Sequence, residues 1–284
     1  MLRRFELHRA TSVDEAIALR RDLGDGAAVY AGGTEILMTM KMGIARWPHL
    51  IDVKPIPELH GITVSGGMLR IGAAVAHWDL ERDPAVARAI PAFAELERNV
   101  ANVRVRAAGT LGGNLAFAEP HADPPAFLIA LDARVVLSGS EGTRRLAVSD
   151  LITGMYTTTL GADEILVSIE IPIPAADARA AYVKFQILER PSVGVAIAGT
   201  VRDGRFRGAP AVVVGAVDEV PRRVPTAALD GARADDAAAA DALAEAARGA
   251  VDPVADLAGA ADYKRHLVGV FAKRALAALV AEAA

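Results

Sequence analysis

The chain has 284 residues, 52% of them hydrophobic and 23% charged, with a formal net charge of −4 and no cysteine. That length is comfortable for two compact domains, and the mild acidity gives no electrostatic reason to expect nucleic acid or an anionic membrane as partner. Without cysteine the chain forms neither a disulfide nor a thiolate nucleophile, and it cannot hold an iron–sulfur cluster in the usual all-cysteine way.

Residues 1–12, MLRRFELHRATS, carry two early arginines but no apolar signal core. No stretch approaches the ~18 uncharged apolar residues that a transmembrane segment needs, so a cytoplasmic location is expected. Thr11 to Leu23 opens on Ser12, has Glu15 three residues later, and spaces Val13, Ala16, Ile17 and Leu19 helically. This predicts a capped amphipathic helix. Ala27 to Tyr30 then reads as a buried strand, and Ile36 to Met40 as the opening of a short helix. Between them lie Ala31, Gly32, Gly33, Thr34 and Glu35. Glycines at a strand exit permit positive φ and leave the backbone N–H groups bare, while Thr34 suits an N-cap whose hydroxyl can donate to a phosphate oxygen. A pyrophosphate fits such a loop, although Gly-Gly-Thr is also ordinary turn chemistry.

Residues 48–75 predict short strands with turns at Pro55, Pro57 and Gly66-Gly67. Asp79 to Arg98 predicts a helical region interrupted by Pro84 and Pro91. A second glycine segment follows, with Thr110, Gly112, Gly113 and Asn114, and Asp123 one short loop further on. A carboxylate does not suit a pyrophosphate, so Asp123 fits ribityl or ribose hydroxyls; it also reads as the N-cap of a helix at 124–131 that begins Pro124-Pro125. Ala133 to Leu137 and Glu164 to Ile171 read as strands, and Ile171-Pro-Ile-Pro174 as a boundary. Beyond it, Tyr182 to Leu188, Val193 to Val201 and Ala211 to Val217 predict an antiparallel sheet. Alanine-rich helices at about 233–249 and 260–283 are expected to cover one of its faces. No G-x-G-x-x-G opens a helix, which argues against Rossmann-type NAD binding. The six histidines show no paired ligand spacing, and His121-Ala-Asp123 is the only tight His/Asp pair, so no metal site is expected.

The ordered set of these segments resembles the FAD-binding medium subunit of the molybdenum hydroxylases, the group that includes xanthine dehydrogenase, carbon monoxide dehydrogenase and aldehyde oxidoreductases. It comprises AGGTEILMTMK from Ala31, LIDVKPIPEL at 50–59, LRIGAAVAHWDLE at 69–81 and VRAAGTLGGNLAFAEPHADPPAFLIALDA at 105–133. DEILVSIEIP at 163–172, YVKFQILERPSVGVAIAG at 182–199 and DYKRHLVGVFAKRAL at 262–276 complete it. Two departures stand out: the family often has Asn where this chain has Ala107, and its carbon monoxide dehydrogenases usually carry Ser where this chain has Glu35.

The resemblance implies an α+β fold. A two-part FAD-binding domain of the PCMH (vanillyl-alcohol-oxidase-like) type would span 1–174, with subdomains of about 1–57 and 58–174, and a smaller α+β domain with an antiparallel sheet and helices would span 175–284. It implies FAD as cofactor, with Ala31, Gly32, Gly33, Thr34 and Glu35 as the first flavin loop and Thr110, Gly112, Gly113, Asn114 and Asp123 as the second. Leu166 and Lys184 would approach the flavin from later in the chain; by itself Leu166 is a core residue and Lys184 an exposed strand lysine. The implied partners are a small subunit with [2Fe-2S] clusters and a large molybdopterin subunit, in a dimer of heterotrimers, with NAD, a quinone or another carrier as electron acceptor. No catalytic acid or base is then expected on this chain. The competing readings are a self-contained flavin oxidase, which often tethers FAD through His or Cys, and a nucleotide-binding scaffold without redox function.

Overall fold

The computed structural model describes residues 2–187 and 189–281, so Leu188 and the expected helix end at 282–283 lie outside the described residues. The first layer is a parallel three-stranded sheet in the order Glu6–Arg9, His49–Asp52, Ala27–Tyr30. The helix Val13–Leu23 packs on it through Ala16 and Ile17, which share a core with Ala27, Ile51 and Ile56. Its start is capped reciprocally. Ser12 Oγ accepts from the Glu15 N–H at 3.1 Å, and the Glu15 carboxylate reaches back to the Thr11 N–H at 2.7 Å. The strand Ala27–Tyr30 is an edge strand and only partly buried, with Val29 37% exposed; one helix cannot cover both faces of so small a sheet.

A five-stranded antiparallel sheet follows, in the order Ile62–Ser65, Met68–Gly72, Ile165–Pro172, Arg134–Gly139, Gly142–Ala147. Gly66 and Gly67, both at positive φ, make the two-residue turn of its first hairpin. The central strand, Ile165–Pro172, is the last of the five in sequence, so the sheet closes only when distant segments meet. The helices Pro84–Ala89 and Pro91–Arg98 each begin with proline, where the missing N–H costs no hydrogen bond. Two helices follow, Val103–Ala108 and Leu111–Phe117, the second of them in the segment expected to be a glycine loop. They form because Asn102 and Thr110 cap them, and because Gly112 lets the second helix lie directly on Ala73.

The third sheet is antiparallel, in the order Ala178–Gln186, Pro191–Arg202, Ala211–Gly215, Arg222–Arg223. As expected, Ala237–Gly249 and Ala261–Ala281 cover one face, where Val193, Val195, Ile197, Val212 and Val214 meet Leu267, Phe271 and Ala275. The alternate residues Ala180, Ala196 and Val213 point the other way, into a core shared with the helix Pro124–Ala130. All seven residues of that helix are buried. It is wedged between the second and third sheets, and a Cβ added at Gly215 would lie 3.1 Å from Ala126 Cβ. Among the described residues, no helix is long and apolar enough to cross a membrane.

Gly112 tests this packing. A Cβ there would sit 2.5 Å from Ala73 Cβ and 2.6 Å from its carbonyl oxygen, so Gly112→Ala should lower stability by about 1–3 kcal/mol in urea unfolding. Gly249→Ala, at an exposed helix end with open space around it, should leave the midpoint unchanged or raise it slightly.

Candidate functional site

The chain leaves Tyr30 into a turn in which Gly33 has φ +75°, and a Cβ on Gly33 would strike the Tyr30 ring at 2.4 Å. At Gly32 a Cβ would lie 2.1 Å from the carbonyl oxygen of Ala108 and 2.7 Å from Gly109 Cα. The two glycine segments are thus pressed together, main chain against main chain. The Thr34 hydroxyl faces the same contact, 3.5 Å from where a Gly109 Cβ would be. Glycine at 32 and 112 is therefore required first by the protein itself. Among the loop glycines, Gly113 is exposed, and a Cβ on it would meet only the Oγ1 of its own cap, Thr110, at 2.8 Å.

Each segment is anchored from behind. The Ala31 carbonyl accepts from Lys54 Nζ at 3.2 Å; Lys54 also pairs with the buried Asp52 at 2.6 Å and lies 3.8 Å over the Tyr30 ring. The second segment is held to residues 73–77: Gly112 N–H donates to Ala73 O at 3.0 Å, Leu111 N–H to Val75 O at 3.1 Å, and His77 N–H to Gly109 O at 3.0 Å. Behind Gly109, His77 shares a fully buried 2.6 Å contact with Glu97. The expected cap at Thr34 is not made. Glu35 occupies the N-cap position of Ile36–Met42 in helical geometry, with no side-chain cap. The N–H groups of Gly33, Thr34 and Glu35 donate to no acceptor among the described residues. Thr110 is the true cap, accepting from Gly113 N–H at 3.1 Å. Asn114 Oδ1 is buried with no hydrogen-bond partner among the described residues.

Asp123 differs from its N-cap reading in the same way, because its carboxylate turns from the helix amides to the third sheet. It accepts from Tyr182 Oη at 2.9 Å and from Lys184 Nζ at 3.1 Å, and Lys184 donates also to Asn99 O at 2.7 Å. Lys184 is 11% exposed in its side chain, so it is not the exposed strand lysine that its sequence position suggested. Burial pushes the Asp123 carboxyl up, against the pull of Lys184 and Tyr182; burial and then Asp123 push the Tyr182 phenol well above its ordinary range. Leu166 lies in the core beside a bulge between Leu166 and Ser168, and its neighbour Val167 accepts from the Ala73 N–H that precedes the second segment.

A charged network reaches from the first loop to the last helix. Arg190 holds both Glu35 oxygens at 2.9 Å and Glu119 at 2.5 Å. Glu119 also accepts from Tyr156 and pairs with His121, which pairs on its other nitrogen with Asp256; Asp256 in turn pairs with the buried Lys264. The histidine's partners are thus Glu119 and Asp256, not Asp123. Sequence reading missed Arg190, Glu119, Tyr156 and Asp256, whose only signal is a juxtaposition of residues far apart in sequence. Burial opposes ionisation of Glu119, but hydrogen bonds from His121 and the Arg190 charge outweigh it and hold the carboxyl at about 2, against an ordinary 4.5.

Comparison with known proteins identifies the family. The family described as "FAD binding domain in molybdopterin dehydrogenase" matches residues 3–174, and "CO dehydrogenase flavoprotein C-terminal domain" matches residues 189–279. The carbon monoxide dehydrogenase medium chain of Hydrogenophaga pseudoflava is 37% identical over 99% of each chain. The solved structure of that organism's carbon monoxide dehydrogenase lacking the Mo-pyranopterin moiety superposes with TM-score 0.96 at 36% identity, covering 100% of both chains. Quinoline 2-oxidoreductase from Pseudomonas putida 86 superposes with TM-score 0.93 at 30% identity, covering 100% of this chain and 99% of the other.

Glu119 gives the network a pH signature. Its folded pKa lies below the unfolded one, so its contribution is complete above about pH 4.5 and is lost as pH falls toward about 2. Glu119→Gln should cost on the order of 1–2 kcal/mol at neutral pH, allowing for screening by solvent, and should flatten the acid limb of stability in that window. Chemical denaturation at a series of pH values measures both.

Proposed function

This chain belongs to the FAD-binding medium subunits of the molybdenum hydroxylases, and we propose that it holds FAD across its two touching glycine segments and serves as the electron-transfer subunit of its complex. Its cofactor is FAD, and it is the flavoprotein subunit of an oxidoreductase. The residues present fit that group. Among the described residues, the N–H groups of Gly33, Thr34 and Glu35 and the unpartnered Asn114 Oδ1 are donors and an acceptor left over for a polar, phosphate-bearing ligand, and the exposed Gly113, whose own N–H is taken by Thr110, offers a surface with no side chain. This surplus, at the one place where the two segments touch, carries the reading.

In this assignment Ala31, Gly32, Gly33, Thr34 and Glu35 form one wall and Thr110, Gly112, Gly113 and Asn114 the other. Gly32 and Gly112 set the walls' shape, and Thr34 and Gly113 would face the ligand. Asp123, which fixes the Lys184 ammonium, would also accept from a sugar or ribityl hydroxyl, and Lys184 would supply positive charge near the bound group. Leu166 contributes an apolar surface. When bound, FAD supplies a relay that takes electrons singly and releases them singly or as a hydride. The electrons would come from [2Fe-2S] clusters of a small partner subunit, after hydroxylation on a large molybdopterin subunit. They would leave to NAD, a quinone or another acceptor. The complex would be a dimer of heterotrimers, and the flavin domain would comprise 1–174 and its companion 175–284. No residue of this chain then acts as a catalytic acid or base.

The purified chain should be yellow, with flavin absorption between about 300 and 550 nm, and acid should release FAD. Gly113→Trp should abolish FAD uptake. Asn114→Ala should weaken it about 10-fold while leaving the unfolding midpoint of the flavin-free protein in place, because the lost acceptor has no protein partner. With FAD alone the chain should oxidise neither an aldehyde nor a purine. Turnover without partners would instead identify a self-contained flavin oxidase, and a colourless protein that refuses added FAD would identify a scaffold.

A further inference from the structure

We propose that Glu6, His8 and His49 form a binding site for a zinc-type divalent transition-metal ion on the first sheet, away from the glycine segments. The parallel pairing of Glu6–Arg9 with His49–Asp52 sets Glu6 opposite His49 and His8 opposite Ile51. Side chains two apart on a strand share a face, so all three groups project together. The sequence hides this set, because His8 and His49 are 41 residues apart and meet only through the sheet.

The donor atoms are spaced as an ion would hold them. His8 Nε2 lies 3.1 Å from His49 Nδ1, Glu6 Oε2 lies 3.2 Å from His49 Nδ1, and Glu6 Oε2 lies 3.7 Å from His8 Nε2. Zinc bonds to nitrogen and carboxylate oxygen are about 2.0–2.2 Å, which makes the edge of a zinc tetrahedron about 3.3–3.6 Å. A point about 2.05 Å from all three atoms lies about 0.6 Å out of their plane, against about 0.7 Å for an ideal tetrahedron. Hydrogen bonding alone serves this triangle poorly. His49 Nδ1 faces both a second imidazole nitrogen and a carboxylate oxygen, and one ring nitrogen either donates one proton or accepts one. An ion at the centre engages all three lone pairs together. Two imidazoles and one carboxylate favour zinc over magnesium or calcium, which prefer all-oxygen shells. Water completes the fourth position.

The two histidines are about three-quarters buried and Glu6 is exposed, so the ion would enter from solvent and bind to folded strands. It would tie the edge strand Glu6–Arg9 to its central neighbour and stabilise the native state by mass action.

The test uses untagged, FAD-loaded full-length chain stripped with a chelator, titrated with zinc by calorimetry and with cobalt by visible absorption. We expect one zinc ion per chain, a tetrahedral cobalt spectrum, a zinc-dependent rise in the unfolding midpoint, and no response to magnesium. His8→Ala and His49→Ala should each weaken zinc binding at least about 10-fold and abolish the cobalt bands. Glu6→Gln, the mildest change, should weaken binding without altering the metal-free midpoint. His60→Ala and His266→Ala should bind as wild type. Absence of zinc binding at about 100 μM, or binding that survives both His8→Ala and His49→Ala, would overturn the proposal. An octahedral cobalt spectrum would overturn the tetrahedral assignment.

Discussion

The contact of Gly32 with the main chain at Ala108 and Gly109 is the constraint on which the rest of the structure turns. A side chain of any size would separate the two segments, since even a Cβ would come within 2.1 Å of a carbonyl oxygen. Main-chain contact this close requires both segments to be held from behind, because nothing between them can adjust. The first is held by the parallel sheet and by Lys54, Asp52 and Tyr30. The second is held by residues 73–77, which hydrogen-bond in turn to the central strand at Val167. The two sheets serve to bring one turn against one helix start.

The third sheet completes this arrangement. Lys184 and Tyr182 come from its strand Ala178–Gln186, yet they occupy the carboxylate of Asp123. Arg190, at the approach to the next strand, bridges Glu35 and Glu119. A buried carboxylate that loses its cation keeps the full cost of desolvation, so the Asp123–Lys184 pair ties the start of the helix Pro124–Ala130 to the third sheet and is costly to break from either side. The Glu35–Arg190 pair gives physical sense to a departure from the family pattern. A carboxylate in the first loop has its cation supplied from the third sheet's side, by an arginine that it shares with Glu119.

Much of the framework was legible because local chemistry decides it. Ser12 with Glu15, the prolines at 84, 91 and 124, and the Gly66-Gly67 turn each act within a few residues, and the structure uses them as read. The antiparallel third sheet was legible through its β-branched runs, and the resemblance supplied the family. The segment that begins at Thr110 was read as a loop because two glycines inside a helical turn argue for one on propensity alone, whereas capping by Thr110 and tertiary packing of Gly112 on Ala73 make it a helix. Asp123 and Lys184 looked like a cap and a surface cation for a related reason: each has its partner about 60 residues away. Strand pairing that joins His8 to His49, and ion pairs that join Glu35 to Arg190, leave no trace in spacing.

A site built this way should tolerate wide divergence elsewhere. Its geometry rests on main-chain contacts, on side chains absent at a few glycines, and on a core whose helix Pro124–Ala130 is shared by two sheets. Such a helix must remain small and apolar on all sides, but many combinations of alanine, leucine, isoleucine and phenylalanine satisfy it. Identity with a relative can therefore fall to 36% while the backbones still superpose at a TM-score of 0.96. The positions that cannot drift are those where a Cβ would force the two segments apart, and the ligand-facing groups that the protein itself leaves unpaired. The outer charges are coupled less symmetrically: loss of Arg190 would leave both Glu35 and the buried Glu119 without their cation, whereas loss of Glu35 leaves Arg190 paired with Glu119.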